Sequence, residues 1–235
     1  MANGFVISRS TFTASNALTV ATGTTMAVTA GNLLVGAITG NQNTTAVITD
    51  TSGNNWTPIG SLKFNSSPAV LFGLAYSKNC LGGGAVTFTC TYGTSSANRG
   101  IYVAQYSGVT TAMDPLTNFS FPTNGIVAAP GTGTDAISSG AVTPITAPCL
   151  IWSFSQDING TAIPGAGTGF SGNGAVWANT AQGEDLIYSP AGAPSAQTAT
   201  FTAGGSDGAA TFSVGMAQFI LAMPDMTSRG ICVGA

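Results

Sequence analysis

Short runs of Val, Ile, Thr, Phe and Tyr, each closed within a few residues by Gly, Asn, Ser or Pro, recur along the whole chain. No window sustains apolar residues at i, i+3, i+4 and i+7, the spacing that lets one face of a helix reach a core. β-Branched and aromatic residues suit a pleated, half-buried surface, and the intervening residues suit tight turns. The clearest predicted strands are Phe5–Ser8, Leu18–Ala21, Asn32–Thr39, Ala46–Thr49, Ala69–Ser77, Ala85–Tyr92 and Ile101–Tyr106. Later come Leu150–Gln156, Leu186–Tyr188, Thr198–Thr202 and Thr211–Ala222. Their spacing predicts an all-β fold, an antiparallel, jelly-roll-like β-sandwich, and argues against a βαβ array.

The runs are of two kinds. Asn32–Thr39 (NLLVGAIT) and Leu150–Phe154 (LIWSF) are almost continuously apolar, which predicts central strands covered on both sides. From Thr87 to Tyr92 the chain alternates, placing Phe88, Cys90 and Tyr92 on one face and threonines on the other. The apolar segment Ala209–Met223 is interrupted by Thr211, Ser213 and Gln218 and reads as a long strand. Gly82–Gly84 and Gly204-Gly205 lie between strands, so they read as hairpin turns and not as phosphate cradles.

Four sequence islands recur in the same order. Leu33-Leu34-Val35 returns as Leu150-Ile151-Trp152, and Leu74-Ala75-Tyr76-Ser77 as Leu186-Ile187-Tyr188-Ser189. Thr87-Phe88-Thr89 returns as Thr200-Phe201-Thr202, and Ala104-Gln105-Tyr106 as Ala217-Gln218-Phe219. We read residues 1–235 as one sandwich built from two similar halves, 17–110 and 135–225, sharing one core. An N-terminal arm (1–16) and a C-terminal tail (226–235) flank them. Residues 111–134, rich in turn formers and too long for a hairpin, form the crossover.

The chain is 44% hydrophobic but only 6% charged, about a quarter of the usual charged fraction. Hydroxyls, amides, backbone or other protein must therefore cover much of its exterior. The net charge is −3, and Arg9, Lys63, Lys78, Arg99 and Arg229 are scattered, which speaks against nucleic acid. No stretch approaches the roughly 18 apolar residues of a membrane helix, and no basic n-region precedes an apolar h-region at the start. With no histidine there is no Ser-His-Asp triad. Glu184 and Asp185 are adjacent, so on a strand they point to opposite faces. An acid pair would need Asp157 and Asp185 to converge. We expect no enzyme, no cofactor and no metal.

A few residues carry alternatives. In Asp50-Thr51-Ser52-Gly53-Asn54-Asn55-Trp56 the carboxylate can accept following backbone N–H groups in an Asx-type turn. A calcium or sugar site is the other reading, but the acidic alternation of a calcium loop is missing. Trp56 and Trp177 are candidate glycan contacts as well as core-edge residues, whereas Trp152 reads as core. Cys80 with Cys90, and Cys149 with Cys232, are candidate disulfides; the alternative is small buried thiols. Phe5-Val6-Ile7 in the arm has no counterpart in the second half. It either adds to the edge of a neighbouring subunit or pairs within its own sheet.

The A-G-N-L-L-V strand at Ala30–Val35, the D-T-S-G-N-N-W turn at Asp50–Trp56, and Q-Y-S-G-V at Gln105–Val109 followed by Asp114-Pro115 resemble β-sandwich proteins of tailed bacteriophages and domains of secreted bacterial proteins. The resemblance covers most of the chain and rests on turn and core residues. It implies a structural virion protein, a capsid decoration or head/tail fibre component made in the host cytoplasm. Its expected partners are its own copies, as a homo-oligomer such as a trimer, and other virion proteins such as a major capsid protein. The alternative is a carbohydrate-binding or adhesin module of a phage fibre or an extracellular bacterial surface.

Overall fold

The computed structural model describes residues 4–41, 44–66, 69–111, 113–122, 126–129, 136–157, 163–176, 181–204 and 210–222. All regular structure among them is β. The first half holds β1 (Gly4–Thr13), β2 (Ala17–Ala21), β3 (Met26–Val28), β4 (Leu33–Gly40), β5 (Ala46–Asp50), β6 (Thr57–Ser66), β7 (Ala69–Ser77), β8 (Gly83–Val86), β9 (Phe88–Ser96) and β10 (Arg99–Ser107). The second holds β11 (Leu116–Ser120), β12 (Ile126–Ala129), β13 (Ala136–Val142), β14 (Cys149–Asp157), β15 (Ile163–Gly165), β16 (Ser171–Val176), β17 (Ala181–Tyr188), β18 (Gln197–Gly204) and β19 (Ala210–Ile220).

The same antiparallel connectivity occurs twice. The first half has a large sheet, β1-β10-β4-β7-β6, facing a small one, β2-β9-β5, with β3 and β8 paired beside it. The second has β11-β19-β14-β17-β16, with β12 also on β19, facing β13-β18-β15. Each half is thus jelly-roll-like, with one displacement. The strand after the small sheet's edge strand, β6 or β16, ladders onto the large sheet instead. The register repeats as well: Ala104 lies opposite Val35 on the β10–β4 ladder, and Ala217 lies opposite Trp152 on β19–β14.

The continuously apolar runs explain how the halves stack. β4 and β14 are buried at every position and sit at the centres of their sheets. One face of β4 (Leu34, Ile38) packs with Phe88, Cys90 and Tyr92 of β9 inside the first sandwich. The corresponding face of β14 (Cys149, Ile151) packs with Phe201 of β18 inside the second. The opposite faces, carrying Leu33, Val35 and Ala37 or Leu150, Trp152 and Phe154, meet in a third cluster between the two large sheets. The result is four layers with three apolar clusters, where a single shared core was expected. A strand with two apolar faces needs two partners, and here each obtains them.

Other departures have local causes. The 111–134 segment is more than a connection: it contains β11 and β12, which pair with β19. β19 has the position in its sheet that β10 has in the other, so these strands are the second half's counterpart of β1, contrary to the expectation that the arm has none. The glycines at 82–84 form no hairpin; Gly83 and Gly84 belong to β8, which pairs with β3.

Candidate functional site

Three places gather chemistry-bearing side chains: the seam between the large sheets, the interior of the second sandwich, and the turn and groove at the open edge of β5. In the seam, Tyr102, Ala104 and Tyr106 of β10 point at the second half, because alternate residues share a face. The Tyr102 ring stacks at 6.5 Å from that of Trp152 and lies 5.0 Å from that of Phe154. Tyr106 donates from Oη to Asp185 Oδ2 at 3.0 Å and accepts from Asn173 Nδ2 at 2.6 Å. Tyr76 packs 5.6 Å from Phe219 and donates to Asp114 Oδ1 at 2.7 Å.

These contacts come in pairs. The ladders make Tyr106 and Phe219 equivalent, and likewise Tyr76 and Asp185. Tyr76 of the first half meets Phe219 of the second, while Asp185 of the second meets Tyr106 of the first. The equivalent pairs Tyr102/Gly215 and Leu74/Gly183 behave alike. A Cβ on Gly183 would lie 2.8 Å from Tyr102 Oη, and one on Gly215 3.0 Å from Leu74 Cδ1. Such reciprocity is the mark of a two-fold, isologous contact, here formed within one chain. Small residues on one side make room for large ones on the other.

Neither acid at 184–185 is free to act with its neighbour. Asp185 faces the seam, where burial raises its pKa and the bonds from Asn173 and Tyr106 offset part of that. Glu184 points the other way, into the second sandwich. There it is fully buried and its Oε2 accepts from Gly167 N at 2.7 Å, while Oε1 has no partner. Burial pushes its pKa up to about 8. Asp157 does not join them. Asp185 lies opposite Trp152, and Asp157 is five residues further along β14, about 16 Å at strand rise.

The Asp50 turn forms as the sequence predicts, and its carboxylate is saturated. Oδ1 accepts from Ser52 N (2.9 Å), Asn54 N (3.2 Å) and Asn54 Nδ2 (3.1 Å), and Oδ2 from Trp56 Nε1 (2.7 Å). Gly53 adopts φ +75°, a left-handed conformation that favours glycine. Trp56 is half-buried, edge-on to Phe88 at 6.1 Å, and its one polar atom is engaged. It forms a wall of an apolar groove of about 320 Å³ between β5 and β6. Trp177 lies outside the described residues.

Cys80 and Cys90 are separate buried thiols, so the suggested bridge between them is not formed. Cys90 is the third residue of β9 and faces the core, and Cys80 lies beyond β7, its Sγ donating to Thr29 O. Burial lifts their pKa values to about 12 and about 11, and that of Cys149 to about 11. Cys232 lies outside the described residues. Of the arm residues, Phe5 and Ile7 pair within their own sheet, along β10, and Val6 is the bulged residue between them. Phe5 and Val6 remain exposed, and Ile7 packs against the first core.

Sequence reasoning missed the tyrosines of the seam, Asn173 and the buried Arg99. The Arg99 guanidinium sits 4.0 Å over the Tyr92 ring, and its Nε donates to Ser96 O at 3.0 Å. The period-two Tyr102-Ala104-Tyr106 pattern was the available signal for the seam, obscured by equally apolar residues between. Among the described residues no group of three or more His, Cys, Asp or Glu could hold a metal ion. No protein-family model, no curated protein and no solved structure matches this chain.

Proposed function

We propose that this chain is a structural virion protein that associates with copies of itself and with other virion subunits, as a capsid decoration or a head or tail fibre component. The observation that carries the reading is the exterior. A chain with thirteen charged residues in 235 leaves Phe5, Val6, Leu18, Val47, Leu81, Met113, Phe119, Ile145 and Ile187 exposed. Permanent interfaces are more apolar and poorer in charge than ordinary surface. The interior supports the same reading: Asp50, Asp114, Asn173 and Asp185 are spent on holding sheets and turns in place. A framework of stacked sheets with little ionic surface is suited to lasting protein contact.

The test is location. Antibody raised against the recombinant chain should label intact particles in a lysate of the producing strain, and the chain should co-sediment with them through a density gradient. Recovery only in the free soluble fraction, with unlabelled particles, overturns the reading.

A further inference from the structure

We infer that the open edge of β5 pairs antiparallel with the same edge of a second copy, giving a two-fold dimer whose small sheets run continuously from one molecule into the next. The inference rests on the assembly reading above and names one self-contact by which assembly proceeds.

Its starting point is an unguarded edge. β5 ends the order β2-β9-β5, and the strand that follows it, β6, ladders onto β7 in the other sheet. Among the described residues nothing pairs with the side of β5 away from β9. Exposed strand edges invite pairing and are normally blunted by bulges, proline or lysine. The other edges of the first sandwich carry such devices. β1 has the bulge at Val6 and carries Arg9, and β2 is irregular between Ala17 and Thr19. β6 has Pro58, Lys63 and a register shift where Gly60 takes φ +64°. β5 has none of these: its register runs unbroken from Ala46 opposite Tyr92 to Asp50 opposite Phe88. Its one charge is at its last residue.

The groove is the second, independent observation. Directly beside this edge lies the cavity of about 320 Å³, walled by Ile38, Ile48, Trp56, Pro58, Leu62 and Leu74, with no charged side chain in its lining. Val47, 58% exposed, stands on its rim. An edge without backbone partners among the described residues, above an apolar hollow, calls for an extended segment with an apolar middle, and β5, whose one charge stands at its end, is itself such a segment.

Antiparallel pairing of a strand with its own copy is two-fold by construction, and two-fold dimers are the commonest closed assemblies. Centring the pair on Val47 sets Val47 against Val47 of the second copy and Ala46 against Ile48. Each Asp50 then lies opposite Thr44 at the far end, so no like charges face each other. Cross-strand neighbours stand about 5 Å apart, close enough for each valine to cover the other.

Sedimentation velocity over a range of concentrations tests this with wild type, Val47→Lys and Val47→Asp, circular dichroism serving as the check on folding. Wild type should dimerise. Each variant alone should raise the dimer dissociation constant by about a hundredfold or more, since like charges meet at the axis. An equimolar mixture of the two should dimerise again, because Lys then faces Asp. Should either variant fail to fold, Val47→Cys in a Cys232→Ser background replaces it, with oxidation expected to give a covalent dimer. A wild type that stays monomeric overturns the inference. So does an oligomer indifferent to both charge variants, or a mixture that stays dissociated, or the absence of a cross-link. None of these outcomes touches co-sedimentation with particles, so the broader functional reading is judged separately.

Discussion

Replacing Glu184 by Gln should make the protein more stable at alkaline pH and leave it nearly unchanged at pH 5. Burial of the native carboxyl lifts its pKa from 4.5 to about 8, against the lowering effect of the one N–H it accepts, from Gly167, while its other oxygen has no partner. The sign follows from proton counting. Between those values the folded chain keeps a proton that the unfolded chain has released, so stability falls as pH rises from about 4.5 to about 8 and levels off beyond. The full span corresponds to up to roughly 5 kcal/mol at 1.36 kcal/mol per pH unit. Glutamine still offers Gly167 an amide oxygen and has no charge to bury, so that loss disappears. Asp185, raised in the same direction by burial, adds a smaller decline of its own that Asp185→Asn removes. Urea unfolding at pH 5 and pH 9 reads the effect directly. Parallel pH profiles for wild type and Glu184→Gln would show that the carboxyl is hydrated in the native state and the reasoning wrong.

Other expectations are local. Asp50→Ala removes the acceptor of four donors, including Trp56 Nε1, and should cost about 2–3 kcal/mol with an accompanying change in Trp emission; an unchanged denaturation midpoint would contradict it. Gly183→Val drives a side chain into Tyr102 across the seam and should cost about 1–3 kcal/mol, read by thermal unfolding. The thiols of Cys80, Cys90 and Cys149 should resist a disulfide-exchange reagent at pH 8 until the chain is unfolded, because burial suppresses their thiolates. Rapid labelling of any of the three in the native protein would refute that.

The seam bears on how such a chain assembles. Its reciprocal contacts resemble a dimer interface placed inside one polypeptide, with Tyr76 tethered to Asp114 where the chain passes from one half to the next. Joining the halves covalently makes their association independent of concentration. It also leaves the small sheets as the outer layers. β5 belongs to one of these layers.

Periodicity and turn chemistry alone determined the all-β class, the central strands β4 and β14, the inward face of β9 and the closed Asp50 turn. Those features depend on residues within a few positions of one another. Strands such as β6, β13 and β16 were not legible, because Pro58, Gly60, Gly140 and Gly172 interrupt the apolar pattern where the ladders bend. Two of the recurring islands, Leu33–Val35 with Leu150–Trp152 and Ala104–Tyr106 with Ala217–Phe219, fall at equivalent ladder positions. The island at Leu74–Ser77 does not: Tyr76, matched to Tyr188 by sequence, has Asp185 as its counterpart in the ladder. Tertiary structure alone decided that the apolar strands face two cores, that Glu184 and Asp185 part into separate compartments, and that β6 leaves the edge of β5 open. Each of these depends on which surface a distant segment covers. Local sequence fixes what a strand can bury, and only packing decides against what.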